Sequence, residues 1–233
     1  TIAGSDSSGG AGIQADLATF ASFGVHGCAL ITALTAQNRL GVHRIAPTPV
    51  EYLRAEFRVL YDDLPPAAIK LGMLVNGEIT TAVNELLADY AGPVICDPVM
   101  SASAGGSLLA DEGRAALLAL LPRLTLITPN IGEAEQLTGI RISNFADMET
   151  AAQALLALGA QGALITGGHL GADDDYCYDY LACAEGTFWL RGERIATVHN
   201  HGTGCTLSSA IAAALALNYE LADAVVLGKM AVT

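Results

Sequence analysis

Positive charge is scarce in this chain: 11 Lys and Arg stand against 24 Asp and Glu, a formal net charge of −13. Nucleic acid and anionic membranes need clustered cations, so neither is the expected partner. Anionic small molecules remain compatible, because a helix N-terminus binds phosphate without Lys or Arg. Charged residues make up only 15% and hydrophobic ones 52%, which excludes disorder and supplies a large core. The five cysteines form no Cys-x-x-Cys pair, so neither a zinc ribbon nor a redox motif is indicated; reduced thiols and a cytoplasmic location fit. The longest Ala/Leu-rich run, 207–217, is too short to span a bilayer, and no signal peptide is visible. A P-loop and a Gly-x-Ser-x-Gly elbow are both missing, and Gly10-Ala11-Gly12 has no third glycine at position 15, which disfavours a dinucleotide site.

What is present is an alternation of apolar runs and helical patterns. Strand-like segments are Thr1–Ala3, His26–Ala36, Ala67–Leu74, Pro93–Asp97, Leu124–Thr128 and Ala163–Thr166. Helical spacing marks Ile13–Phe23, Pro49–Tyr61, Gly77–Tyr90, Asp111–Leu121, Glu133–Leu137 and Asp147–Leu158, with Gly159 as a stop. The alternation predicts an α/β fold with a mainly parallel central sheet and helices on both faces. Nearly continuous apolar strands agree with a sheet covered on both sides. Tyr178–Ala182, Phe188–Leu190 and Arg194–Val198, with turns at Glu185-Gly186 and Gly192-Glu193, predict a short antiparallel edge meander. Without a repeat or linker, residues 1–233 read as one domain; Thr1-Ile2-Ala3 and Val232-Thr233 read as cut into a strand and a helix, so both ends look trimmed.

The most informative stretch is 199–209, His-Asn-His-Gly-Thr-Gly-Cys-Thr-Leu-Ser-Ser, which runs into a helical segment. Gly202 and Gly204 allow close backbone approach. A helix starting at about Cys205 aims its free N–H groups and positive dipole end at this loop, an anion cradle with Thr203 inside it. A thiol there is expected to have a lowered pKa and act as a base; small core packing is the other reading of Cys205.

In open parallel sheets ligands lie beyond the carboxyl ends of the strands, and polar residues collect at those ends here. Asp16 reads as a dipole complement in a first helical turn or as a carboxylate accepting from a substrate amine. Gln37 suits a loop cap or paired bonds to a heterocycle, and Met73 suits a wall against a flat ring or core filling. Asp97 and Glu133 are carboxylates able to hold Mg²⁺ or its waters near phosphates. Asn130 and Glu133 equally form a helix start with Asn130 as cap. His169, His199 and His201 are too scattered for a metal cluster. Two adjacent subsites on one sheet edge imply group transfer between two ligands.

The motifs Ala3-Gly4-Ser5-Asp6-Ser7-Ser8-Gly9-Gly10-Ala11-Gly12-Ile13-Gln14-Ala15-Asp16 and Ile31-Thr32-Ala33-Leu34-Thr35-Ala36-Gln37-Asn38 resemble those of the hydroxymethylpyrimidine/phosphomethylpyrimidine kinases of thiamine biosynthesis. So do Lys70-Leu71-Gly72-Met73-Leu74, Asp97-Pro98-Val99-Met100, Thr128-Pro129-Asn130, Gly167-Gly168-His169 and His201-Gly202-Thr203-Gly204-Cys205. The resemblance implies a ribokinase-like three-layer sandwich, and a homodimer that phosphorylates the pyrimidine alcohol and its monophosphate with ATP and Mg²⁺. It implies that Asp16 and Gln37 read the aminopyrimidine and that Gly4, Met73 and Val99 line its ring. Asn130, Glu133, Thr166 and Thr203 would face the nucleotide, with Glu133 and Asp97 near the metal. Gly202, Gly204 and Cys205 would form the catalytic anion hole. Two departures stand out: Thr166 replaces a Lys usual in the family, and family members continue past residue 233. A cysteine-type pyridoxal kinase is the nearest alternative, and a non-catalytic pyrimidine-binding module a more distant one.

Overall fold

The computed structural model describes residues 1–38, 41–100, 111–168, 170, 175–194 and 202–232. Its elements run β1 (Ile2–Asp6), α1 (Gly12–Ser22), β2 (Leu30–Asn38), β3 (Gly41–Pro47), α2 (Val50–Asp63), β4 (Ile69–Leu71), α3 (Gly77–Leu86), β5 (Val94–Cys96) and α4 (Asp111–Leu120). They continue through β6 (Leu126–Ile127), α5 (Ile131–Thr138), α6 (Phe145–Ala157), β7 (Ala163–Thr166), β8 (Tyr176–Cys183), β9 (Gly186–Glu193), α7 (Thr203–Ala216) and α8 (Leu221–Ala231).

The strands form a single sheet in the order β3-β2-β1-β4-β5-β6-β7-β8-β9. Neighbours from β2 to β7 are parallel, while β3 at one edge and β8 and β9 at the other run antiparallel. Each face carries its own core. Leu53, Val83, Leu120, Leu137 and Met148, from α2 to α6, pack on one side; Phe20, Ile211, Ala213 and Val225, from α1, α7 and α8, pack on the other. The pleat divides the strands between them: on β6, Leu126 enters one core and Ile127 the other. This is the three-layer sandwich expected from the alternation.

Several helix starts follow from side-chain caps. Asn76 accepts from the Ile79 N–H at 2.9 Å, and Asn144 accepts from the Asp147 N–H at 3.0 Å. Gly139 ends α5 in the left-handed region that glycine tolerates.

Three expectations need correction. The antiparallel structure is not confined to one edge: β3 pairs with β2, and its residues are half-buried or exposed throughout, so no apolar run betrays it. Gly192-Glu193 is not a turn but the end of β9, where Glu193 pairs with Tyr176. Helix α7 starts at Thr203 rather than Cys205, because Gly202 at φ 82° serves as its cap. The loop at 101–107, most of the third expected meander strand, and His169, His199 and His201 fall outside the described residues.

Candidate active site

From β1 the chain leads to one neighbour, β2, and from β4 onward the strands build outward on the other side. Such a reversal leaves a crevice at the carboxyl ends of the strands around it. Gly4 of β1 and Met73 just after β4 face each other there: a side chain on Gly4 would overlap the Met73 methyl. The Met73 backbone is held by the Thr32 hydroxyl, which donates to its carbonyl at 2.6 Å. Gln37 sits farther out on β2, where the Ser7 hydroxyl donates to its carbonyl at 2.9 Å.

The Gly/Ser loop after β1 is organised by Asp6. Its carboxylate accepts from the Ser8 N–H and hydroxyl, both at 2.8 Å, and from the Ala11 N–H at 2.9 Å. The loop then packs on the start of α7. A side chain at Gly202 would overlap the Gly10 carbonyl, so loop and helix start are in direct backbone contact. Thr206 makes the first helical N–H bond of α7, to the Gly202 carbonyl, so the amides before it are not consumed by the helix. Asp97, at the end of β5, approaches this helix start: a side-chain carbon on Gly204 would stand 3.1 Å from its Oδ2.

Behind these residues lies a buried ion pair. The Lys70 ammonium donates to Asp16 Oδ1 at 2.8 Å, and both side chains are fully buried. The Ser209 hydroxyl donates to the same oxygen at 2.7 Å, and the Thr1 hydroxyl donates to Oδ2 at 2.6 Å. Asp16 is therefore buried beneath the site and already accepts from three protein donors. Burial pulls the Lys70 ammonium down, but Asp16, Cys205 and Asp97 together hold it above its usual range.

Glu133 closes the helix start that its motif predicts. Its Oε2 accepts from the Asn130 N–H at 3.0 Å while Asn130 Oδ1 accepts from the Glu133 N–H at 3.0 Å, a complete capping box. Its Oε1 accepts from the Met100 N–H at 3.4 Å. Burial, with Asp97 adding repulsion, pushes Glu133 up to about 7. Burial likewise pushes Asp97 up to about 6, against the pull of Lys70. Among the described residues no group of three His, Cys, Asp or Glu side chains converges to hold a metal. Two adjacent carboxylates that resist joint ionisation do fit Mg²⁺, which takes one or two carboxylates and keeps waters and phosphate oxygens for the rest.

The thiol expectation is reversed. Burial, then Asp97 and Asp16, push Cys205 up to about 11, outweighing Lys70 and the Gly12 N–H. A helix start lowers a thiol pKa only where the surroundings are polar enough to solvate the thiolate. Thr166 is joined to the Asn130 loop by its N–H, which donates to the Pro129 carbonyl at 2.9 Å. Val99 is half-buried, and its N–H donates to the Asp97 carbonyl at 2.8 Å. Thr203 and Gly204 are exposed at the mouth of the helix start.

Asp6 and Lys70 were not singled out from the sequence. Both left a signal: an Asp opening Ser-Ser-Gly-Gly reads as an Asx-type loop organiser, and a lone cation inside the apolar strand AAIKLGML demands a buried partner.

Comparison with known proteins agrees with this arrangement. The family model described as phosphomethylpyrimidine kinase matches residues 6–233. A hydroxymethylpyrimidine/phosphomethylpyrimidine kinase of Streptomyces coelicolor is 45% identical over 100% of this chain and 86% of that protein. The crystal structure of phosphomethylpyrimidine kinase from Clostridium difficile 630 superposes with a TM-score of 0.86 at 41% identity, over 98% of this chain and 94% of the other. A pyridoxal kinase of Bacillus subtilis in complex with ADP gives 0.88 at 36% identity, over 98% and 87%. With its sheet order, its Gly-rich loop seated on the start of α7, and a match across nearly the whole sequence, the chain belongs to the phosphomethylpyrimidine kinase family.

Proposed function

We propose that this chain transfers the γ-phosphoryl group of ATP to the hydroxymethyl oxygen of 4-amino-5-hydroxymethyl-2-methylpyrimidine, and then phosphorylates the monophosphate, in thiamine biosynthesis. The observation that carries this reading is the meeting of the α7 helix start, the Asp97 carboxylate and the glycine loop at one point. In the reaction the alcohol oxygen bonds to the γ-phosphorus as the bond to the β–γ bridging oxygen breaks. ADP leaves, and the alcohol proton passes to water beside Cys205.

Each residue then has a task. Gly4, Met73 and Val99 hold the flat ring, and Gln37 bonds its edge. Asp16 acts through Lys70 and Ser209, and its unused lone pair is what remains for the aminopyrimidine. Asn130, Thr166 and Thr203 face the nucleotide, and Gly202, Gly204 and Cys205 offer backbone N–H groups to the transferring phosphoryl group. Asp97 and Glu133 hold Mg²⁺ or its waters, and the ion offsets phosphate charge. Positioning and preorganised charge supply most of the acceleration in phosphoryl transfer. The thiol of Cys205 is protonated near neutral pH, which favours a contribution through its backbone.

The reading also takes the enzyme to be a cytoplasmic homodimer; among the described residues no helix is long and apolar enough to cross a membrane. Sedimentation of the purified protein tests the dimer. ADP release with the pyrimidine alcohol, its monophosphate and pyridoxal tests the reaction. A higher kcat/KM on pyridoxal overturns the pyrimidine assignment, and no substrate-dependent ADP release overturns the kinase reading.

A further inference from the structure

Asp179 on β8 is buried, 4% exposed, and outside every motif considered so far. Its Oδ1 accepts from the Gly167 N–H at 3.0 Å and its Oδ2 from the Lys229 ammonium of α8 at 2.5 Å. Gly167 is the first residue beyond β7, and a side chain there would overlap the Tyr178 carbonyl. On its other side β7 is fastened to the loop that ends β6: Asn130 and Thr166 form a bridge. Gly167 is thus held between Asp179 and the strand end assigned to the nucleotide.

Arg194 grips the same turn. Its guanidinium donates to the Gly168 carbonyl at 2.5 Å and to the Leu170 carbonyl at 3.5 Å. The Leu170 N–H closes the turn on the Gly167 carbonyl at 2.9 Å. An anion fixes the turn by an N–H and a cation fixes it by its carbonyls. The Lys229 stem reaches Asp179 past Gly192, where a side-chain carbon would stand 3.2 Å from its Cε. The glycine once read as a turn residue is therefore the gap through which this cation enters.

We infer that Asp179 is a positioning residue for ATP: it sets the Gly167 backbone beside Asn130 and Thr166, and Lys229 holds it in place. This rests on the kinase reading above, with the nucleotide at the β6 and β7 strand ends. Asp179 touches no reacting atom. A residue that only supports the fold would, when replaced, reduce the active fraction and so lower kcat with both KM values unchanged.

The test measures KM for ATP and for the pyrimidine alcohol in D179A, D179N and K229M. D179A is expected to raise the ATP KM about tenfold with the pyrimidine KM within about twofold of wild type. D179N keeps an oxygen for the Gly167 N–H and is expected to stay within about threefold for ATP. An unchanged ATP KM in D179A, an equal rise in both KM values, or a D179N as impaired as D179A overturns the inference. Should D179A not fold, K229M decides: a rise in ATP KM of about threefold supports the strut, and no rise overturns it. Wild-type turnover in the same assay tests the kinase reading by itself. If it fails, ATP affinity by calorimetry in the same variants still scores Asp179.

Discussion

Lys70 and Asp16 face each other at 2.8 Å with both side chains fully buried, one on β4 and the other on α1. Replacing one partner strands the other's charge in the core. Lys70→Met is expected to lower the free energy of unfolding by about 4 kcal/mol, and the double variant with Asp16→Asn by less than Lys70→Met alone. Urea unfolding measures both. A double variant worse than the sum of the singles would contradict a paired role.

Cys205 is expected to be a poor nucleophile in the unliganded protein. With its thiol near 11 rather than the ordinary range, the thiolate fraction at pH 7.5 is lower by roughly two orders of magnitude than for a free cysteine. Alkylation by iodoacetamide, followed by mass spectrometry at Cys205, should be correspondingly slow and climb steeply toward pH 11.

The same protonation state bears on catalysis. A positioned general base is worth about 10²–10⁴ in rate. If the backbone of α7 does the work, Cys205→Ser should keep kcat within about tenfold of wild type. A loss of about a thousandfold would return the thiolate to the role of base.

Gly202 and Gly9 both have positive φ, 82° and 78°, yet only Gly202 is hemmed in. Gly9→Ala should cost about 1 kcal/mol, the left-handed penalty alone. Gly202→Ala adds the overlap with the Gly10 carbonyl, so the loop and α7 must part. It should cost at least about 2 kcal/mol and lower kcat far more than Gly9→Ala does. Equal effects of the two substitutions would mean that the loop and helix are not rigidly joined.

Asp97 and Glu133 predict a pH dependence of stability. Both are raised in the fold, to about 6 and about 7, so their neutral forms favour the native state. Their stabilising contribution is complete below the ordinary carboxylate range and is lost as pH rises through the folded values. Between about pH 4 and pH 7 the free energy of unfolding should fall further in the wild type than in an Asp97→Asn/Glu133→Gln variant, by a few kcal/mol. Mg²⁺ added at pH 7 should restore the wild type and leave the variant unchanged. A Mg²⁺ effect of equal size in both would remove these carboxylates as its site.

Much of this was legible in the sequence because the physics is local. Ala163–Thr166 is an apolar run between glycines, and it is β7 to the residue. Asn130 and Glu133 announce their capping box by spacing alone. What was not legible depends on neighbours remote in sequence. Strand β3 hides because an edge strand has no face wholly buried. Gly192 looks like a turn until Lys229 from α8 is seen beside it. The Cys205 thiol looks activated until its burial, and then the carboxylates of Asp97 and Asp16, are taken into account. Nothing near Asp16 in the sequence shows that Lys70 and Ser209 donate to it from β4 and α7.

The Ser209–Asp16 hydrogen bond joins residues 193 positions apart. The first loop thus gains its floor only when α7 docks against α1. A chain emerging at ribosomal speed, about 5–20 residues per second, would expose Asp16 for roughly ten to forty seconds before Ser209 is synthesised. For most of that interval its carboxylate has Lys70 but not Ser209, and the glycine loop lacks the α7 start it packs on. Newly made chains are therefore expected to be vulnerable to proteolysis at the loop around Gly9 and Gly10, and to become resistant once α7 is in place. The floor of the glycine loop thus waits for a serine 193 positions further along the chain.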